Sequence, residues 1–365
     1  MLCCSNCFTD TEIKPMIDGK KDDDNCNIKN RETGDCDFCG KKGVYVYDTT
    51  KGGPIEDNFN GLLDIYTPAS LLPSNFPKDK IGLIKNILHD KWPIFNLTAD
   101  KIYDLVTAIC AKKYKSHPEL FDEPVGVLQF KDDTYLDENS ILKNLHWDDF
   151  VKDIKTKNRF HSSCISIDKL ATFLEYAVSE YAAGEVFYRS RICSDEQGYS
   201  PSDMGEPPNH KAKGGRVNPI GIGVLYLSDS MKTTLYEIRA GKYDYVTVGR
   251  FKLKSNIKVI DLEKIDKISP FINTIDYTQY AINIEHLKKI AEEISKPVRN
   301  NNELDYIPTQ YISDYIKSQG YDGIEYASVM RGKGKNLAVF DSGKLECCGT
   351  RVYDIKNISY SYSLV

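Results

Sequence analysis

The sequence predicts an α+β protein with a mixed β core. Three observations predict it. Residues 60–183 carry apolar side chains at helical spacing. From Glu185 onward, short segments rich in β-branched and aromatic residues alternate with helical stretches. Six of the eleven cysteines fall within the first 39 residues, in a polar stretch too short to bury a core alone. With 365 residues the chain has room for two or three domains. The expected division is a cysteine-rich segment at 1–50, a helical module at 51–184 and a mixed domain at 185–365.

The first segment holds two C-x2-C pairs, Cys4-Ser-Asn-Cys7 and Cys36-Asp-Phe-Cys39. Such a pair lets two thiolates face one ion at about 2.3 Å, and two pairs complete a tetrahedral site. Cys4, Cys7, Cys36 and Cys39 are therefore the expected ligands of a zinc ion. Four thiolates leave no open position, so the zinc would be structural. Cys3 could replace Cys4, and Cys26 is left over. The charged stretch between the pairs, residues 19–34, reads as an exposed loop.

In the second segment, Thr98 is placed to cap a helix with Ile102, Leu105, Val106 and Ile109 on one face. Residues 146–157 form a short amphipathic stretch. Ser166 is placed to cap a longer helix with Leu170, Phe173, Leu174, Ala177 and Val178 on one face.

The third segment reads as strands in EVFYRSRI, GVLYLSD, DYVTVGRFKL, IKVIDL, GIEYAS and NLAVFD. Helical stretches at 231–240, 284–295 and 308–320 fall between them, and Gly320 sits where a glycine ends a helix.

Four side chains of this segment carry candidate chemistry. Arg189 ends the apolar-leading run Val186-Phe187-Tyr188, where a cation is costly without an anionic partner or a solvent cleft. A guanidinium there suits a phosphate. Tyr226 lies in an apolar strand, and Glu237 follows eleven residues later, one helical turn after Thr233 and Thr234. Ser328 precedes a Gly-rich stretch, with no His–Asp arrangement around it to make a nucleophile. The loop GGRVNPIG (214–221) is neither a Walker loop nor a dinucleotide fingerprint, but its glycines allow close backbone approach to a ligand. Arg216 and Asn218 are its candidate contacts.

A net charge of −5 argues against nucleic-acid binding by phosphate neutralisation. No apolar run of 18 residues and no signal-peptide pattern occur, so the chain reads as cytoplasmic, with no membrane partner.

The FYR step at 187–189, the GGR-V-N-P-I-G loop, Tyr226, Glu237, and Ser328 followed by Asn336 to Phe340 together resemble the RES domain family. The resemblance covers roughly residues 185–345. It implies a small core like that of ADP-ribosyltransferases, with NAD as substrate and cleavage of the nicotinamide–ribose bond. By that resemblance Arg189, Glu237 and Ser328 are catalytic, while Tyr226, Arg216 and Asn218 contact NAD. Arg189 would meet the diphosphate or the nicotinamide ribose, Tyr226 the nicotinamide, and Glu237 and Ser328 the ribose. The acceptor would be water (a glycohydrolase), phosphate (a phosphorylase) or a protein side chain (an ADP-ribosyltransferase). NAD depletion implies a toxin, held in check by an antitoxin or by its own N-terminal module. A non-catalytic binding module on a degenerate RES fold is the reading from another class.

The first 184 residues resemble a module with a zinc-binding start and a helical body related to the HEPN superfamily. Active HEPN ribonucleases carry an Arg followed four to six residues later by a His on one helix. Arg159 and His161 are too close in sequence for that, and no other His has an Arg at that distance.

Overall fold

The computed structural model describes residues 1–19, 32–296, 303–328 and 334–359. The expected exposed loop at 19–34, with Cys26, falls largely outside the described residues, as does part of the Gly-rich stretch after Ser328. The chain forms two compact units, Met1–Asn144 with Asp266–Leu287, and Leu145–Ile265 with Lys288–Val365. Among the described residues no helix is long and apolar enough to cross a membrane.

In the first unit, strand Leu2–Cys4 pairs antiparallel with Val44–Asp48, which also pairs with Thr33–Gly34. This cysteine-rich segment does not stand alone. Phe8 packs against Phe95 and Phe59 at centroid distances of 5.5 and 6.4 Å, and Asn96 N–H donates to Cys7 O at 2.8 Å. Helix Ala99–Ile109 buries Ile102, Leu105, Val106 and Ile109, the face its spacing predicts. A second three-stranded sheet, Tyr66–Pro68, Pro124–Val127 and Gly82–Leu83, lies inside the stretch expected to be helical. Its strands have two to four residues, too few for alternation to show. Residues 266–287 return to this unit because Phe271 packs edge-on to Phe59 at 5.2 Å. Asn283 Oδ1 also accepts from Ile141 N–H at 2.7 Å.

The second unit is built on an eight-stranded mixed sheet. We number its strands β1 (Val178–Tyr181), β2 (Val186–Cys193), β3 (Leu225–Ser228), β4 (Tyr245–Leu253), β5 (Ile257–Asp261), β6 (Gly323–Ala327), β7 (Lys335–Val339) and β8 (Leu345–Asp354). The spatial order is β8-β4-β2-β3-β7-β6-β5-β1. Only β5 and β6 run parallel; the other neighbours are antiparallel. One face carries Phe187, Leu225, Leu227, Phe251, Val259, Leu337 and Val339 as a buried cluster. The opposite face carries Ser228, Asn336 and Tyr326, aligned across β3, β7 and β6 by the pairs Ser228–Asn336 and Asn336–Tyr326.

One boundary differs from the sequence expectation. Ser166 does cap a helix, its Oγ accepting from Lys169 N–H, but that helix ends at Leu174. Residues Val178–Tyr181 become the edge strand β1 against β5. Tertiary pairing overrides a helical periodicity that continues for another turn. Helix Trp147–Thr156 packs on helix Ile307–Ser318, with Phe150 edge-on to Tyr311 at 5.5 Å.

Candidate active site

Glu237 sits at the end of helix Met231–Glu237. Ser230 caps that helix, its Oγ accepting from Thr233 N–H at 3.2 Å. The Thr233 hydroxyl is buried and donates to Asp229 Oδ1 at 2.8 Å. Gly334 lies directly on this helix: a Cβ there would stand 2.6 Å from Thr233 Oγ1, so only glycine fits without a shift. That approach brings Ser328 and Asn336 onto Glu237. Ser328 N–H donates to Gly334 O at 2.7 Å. Ser328 Oγ then donates to Glu237 Oε1 at 2.5 Å. Asn336 Nδ2 donates to the same oxygen at 2.8 Å, and Asn336 Oδ1 accepts from Ser228 Oγ at 2.8 Å. The predicted pair Glu237 and Ser328 is thus in direct contact. Asn336 and Ser228 are the site residues that sequence reasoning left out. Their signal was available only as a register, since a cross-strand pair leaves no local spacing.

Tyr226 is held by the loop 213–222. Its hydroxyl donates to Asn218 Oδ1 at 2.6 Å and accepts from Val217 N–H at 3.3 Å. Burial pushes its phenol well above the usual range, against the opposing Val217 N–H and the nearby charge of Arg216, so it stays neutral. A Cβ on Gly215 would lie 2.7 Å from that hydroxyl. Asn218 Nδ2 donates to the carbonyls of Lys213, Pro219 and Ile222 at 3.0, 3.2 and 2.8 Å. The Asn218 amide is therefore committed to the loop, which it folds around the tyrosine. Arg216 donates to Ile294 O and lies 6.0 Å from the Tyr326 ring centroid. Helix Ile307–Ser318 fixes the loop from outside: Gln310 Nε2 donates to Gly215 O at 2.8 Å, and Thr309 Oγ1 donates to Arg216 O at 2.7 Å.

Arg189 stands apart. Its Nε and Nη1 are buried and make no hydrogen bond. Burial, reinforced by the charge of Arg191, pulls its guanidinium from 12.5 down to about 10. Glu206 and Tyr226 act the other way, so Arg189 and Tyr226 are electrostatic neighbours. It makes no bond to Glu237 or Ser328. Strand alternation places Arg189 with Phe187, on the face opposite Ser228 and Asn336. Strands β2 and β3 meet at the single pair Tyr188–Ser228 among the described residues, so the sheet opens beside Arg189. A cleft of about 580 Å³, lined by Phe160, Ile220, Leu304 and Tyr311, touches the outer side of the 213–222 loop but not Arg189, Tyr226, Glu237 or Ser328.

In the first unit the four expected thiols converge. Cys4 Sγ and Cys39 Sγ are 3.4 Å apart, as are Cys7 Sγ and Cys36 Sγ, and all four sulfurs lie within 4.8 Å of one another. A tetrahedral zinc with bonds of about 2.3 Å spaces its sulfurs by about 3.8 Å, so the donor set fits that ion. Cys3 is excluded by strand alternation, which turns it away from Cys4, and burial pushes its thiol up to about 12. Burial also acts on Cys36, but N–H donors from Cys39 and Phe38 outweigh it and bring this thiol down to about 7. Metal analysis of freshly purified protein should find about one zinc per chain. All four cysteines freely reactive and no zinc would refute the site.

No curated protein matches this chain. Among solved structures, it is similar to a chain of the M. tuberculosis MbcT–MbcA toxin–antitoxin complex, with 15% identity and a TM-score of 0.31. That match covers 52% of this chain and 94% of the other. The family model of the RES domain matches residues 186–354, the segment that holds Arg189, Tyr226, Glu237 and Ser328.

Proposed function

We propose that the RES domain consumes NAD by breaking the bond between nicotinamide and ribose, with water or phosphate as acceptor. The observation that carries this reading is Arg189, a half-buried cation whose buried Nε and Nη1 the protein leaves unpaired. A phosphate oxygen supplies the acceptors that these nitrogens lack. Tyr226, an electrostatic neighbour of Arg189, is a neutral aromatic ring suited to flank nicotinamide. Glu237 is a half-buried carboxylate with one oxygen engaged by Ser328 and Asn336.

The chemistry asks little of an acid. When the C1′–N bond breaks, its electron pair leaves with nicotinamide as a neutral base. The ribosyl group becomes an oxocarbenium-like cation, and a fixed carboxylate stabilises it as it forms. The acceptor then adds to C1′; water loses a proton in doing so. One carboxylate suffices, and the paired carboxylates of glycosidases are not needed. A protein that depletes NAD acts as a toxin and calls for an antitoxin partner.

Incubating the purified protein with NAD, with and without phosphate, and identifying the products tests this reading. Free nicotinamide with ADP-ribose marks a glycohydrolase, and a phosphate-dependent ADP-ribose phosphate marks a phosphorylase. ADP-ribose on protein would redirect the reading to a transferase. No nicotinamide release would overturn it.

The helical module expected at 51–184 is read as a regulatory or docking module. Arg159 and His161 lie on an exposed loop, not on one helix. The protein should leave RNA intact; RNA cleavage abolished by His161→Ala would refute this.

A further inference from the structure

We propose that Asn336, held by Ser228, is a positioning residue that decides which oxygen of Glu237 acts on the ribosyl group. The proposal rests on the reading of Glu237 given above. Ser228 and Asn336 face each other across β3 and β7, and Ser228 also faces Tyr188 of β2. Ser228 and Asn336 are 3% and 4% exposed, so neither can turn to water for a partner.

A serine hydroxyl has one proton to donate, and Ser228 gives it to Asn336 Oδ1. The Glu237 carboxylate only accepts, so the amide turns its NH2 to Glu237 and its Oδ1 to the Ser228 hydroxyl; a flipped amide would oppose oxygen to oxygen at Glu237. Asn336 and Ser328 both donate to Oε1, so this oxygen is engaged by the protein. Glu237 Oε2 has no protein partner among the described residues. Two donors on one oxygen set the plane of the carboxylate and leave Oε2 to the ribosyl cation or its hydroxyls. The relay Ser228–Asn336–Glu237 thus runs from the middle of the sheet to the reacting charge.

The test is steady-state nicotinamide release by variants of the full chain. Asn336→Leu should lower kcat by about 10–100-fold, the scale of a hydrogen bond to a charged group, with the KM for NAD within about threefold. Ser228→Ala should cost about 3–10-fold in kcat, and Ser228→Thr, which keeps the hydroxyl, should restore the wild-type value. Asn336→Asp places a second carboxyl against Glu237. The two then share a proton, so the rate should rise with pH between about 5 and 9 more steeply than in wild type. A raised KM with unchanged kcat for Asn336→Leu, or a wild-type pH profile for Asn336→Asp, would overturn the proposal. If Asn336→Leu does not fold, the Ser228 pair carries the test. Absence of nicotinamide release by wild type would instead overturn the functional reading. Crystal structures of Asn336→Leu and Ser228→Ala decide the positioning role in either case. A turned Glu237 carboxylate supports it and an unmoved one refutes it.

Discussion

Glu237→Gln should lower the rate of nicotinamide release by about 10²–10³, on the scale of losing a key electrostatic group, while NAD should still bind. The substitution is nearly isosteric, and its orientation is dictated by its neighbours. Ser328 and Asn336 are both donors to Oε1, so the amide oxygen must take that place. The amide NH2 then occupies the position of Oε2. The variant keeps both hydrogen bonds, but removes the charge and turns the free acceptor into a donor. Only the interaction that grows in the transition state is lost, so the effect falls on kcat rather than on binding. Ser328→Ala should be milder, about 10–100-fold, because it removes one of the two hydrogen bonds to the charged carboxylate and leaves the charge in place. Nicotinamide release and NAD affinity by calorimetry check both variants. Wild-type-like release by Glu237→Gln would refute the mechanism.

How far such a site is legible in sequence depends on the range of the signal. Helix Ala99–Ile109 and the Ser166 cap rest on local spacing, and the structure places both where the pattern does. The eight strands of the large sheet differ in how they show themselves. β2, β3, β4, β5, β6 and β7 are dense in β-branched and aromatic residues, whereas β1 has helical periodicity and becomes a strand only by pairing with β5. β8, LECCGTRVYD, carries no apolar run and forms because β4 offers it a long antiparallel edge. Convergence of Glu237 with Ser328 spans 91 positions and needed the family resemblance to be seen in advance. The part played by Asn218 could not be read at all. From the sequence it is a polar residue in a glycine loop, and only the geometry shows that its amide is engaged by three carbonyls and Tyr226. The return of residues 266–287 to the first unit is equally unreadable, because it depends on the contacts of Phe271 and Asn283 with partners far along the chain.

Arg189→Met separates ligand binding from stability. A half-buried cation with buried, unpaired nitrogens destabilises the folded chain, and the pull of its guanidinium from 12.5 down to about 10 records that cost. The sign follows from the direction. A cation whose folded pKa is depressed penalises the fold at every pH below about 10, and the penalty disappears only as the pH rises through the interval up to 12.5. At neutral pH the group is charged and the penalty is fully present. Methionine fills much of the same volume without a charge, so the apo variant should melt no lower than wild type. Binding should respond in the opposite way. NAD affinity should fall by about 10–150-fold, the equivalent of a charge-assisted contact of about 1.5–3 kcal/mol, and the rise in melting temperature that NAD gives wild type should shrink accordingly. Thermal melts with and without NAD, together with calorimetry, read both effects. A variant that loses stability but binds NAD as tightly as wild type would show that Arg189 serves the fold and not the phosphate, and would remove the observation on which the proposed function stands.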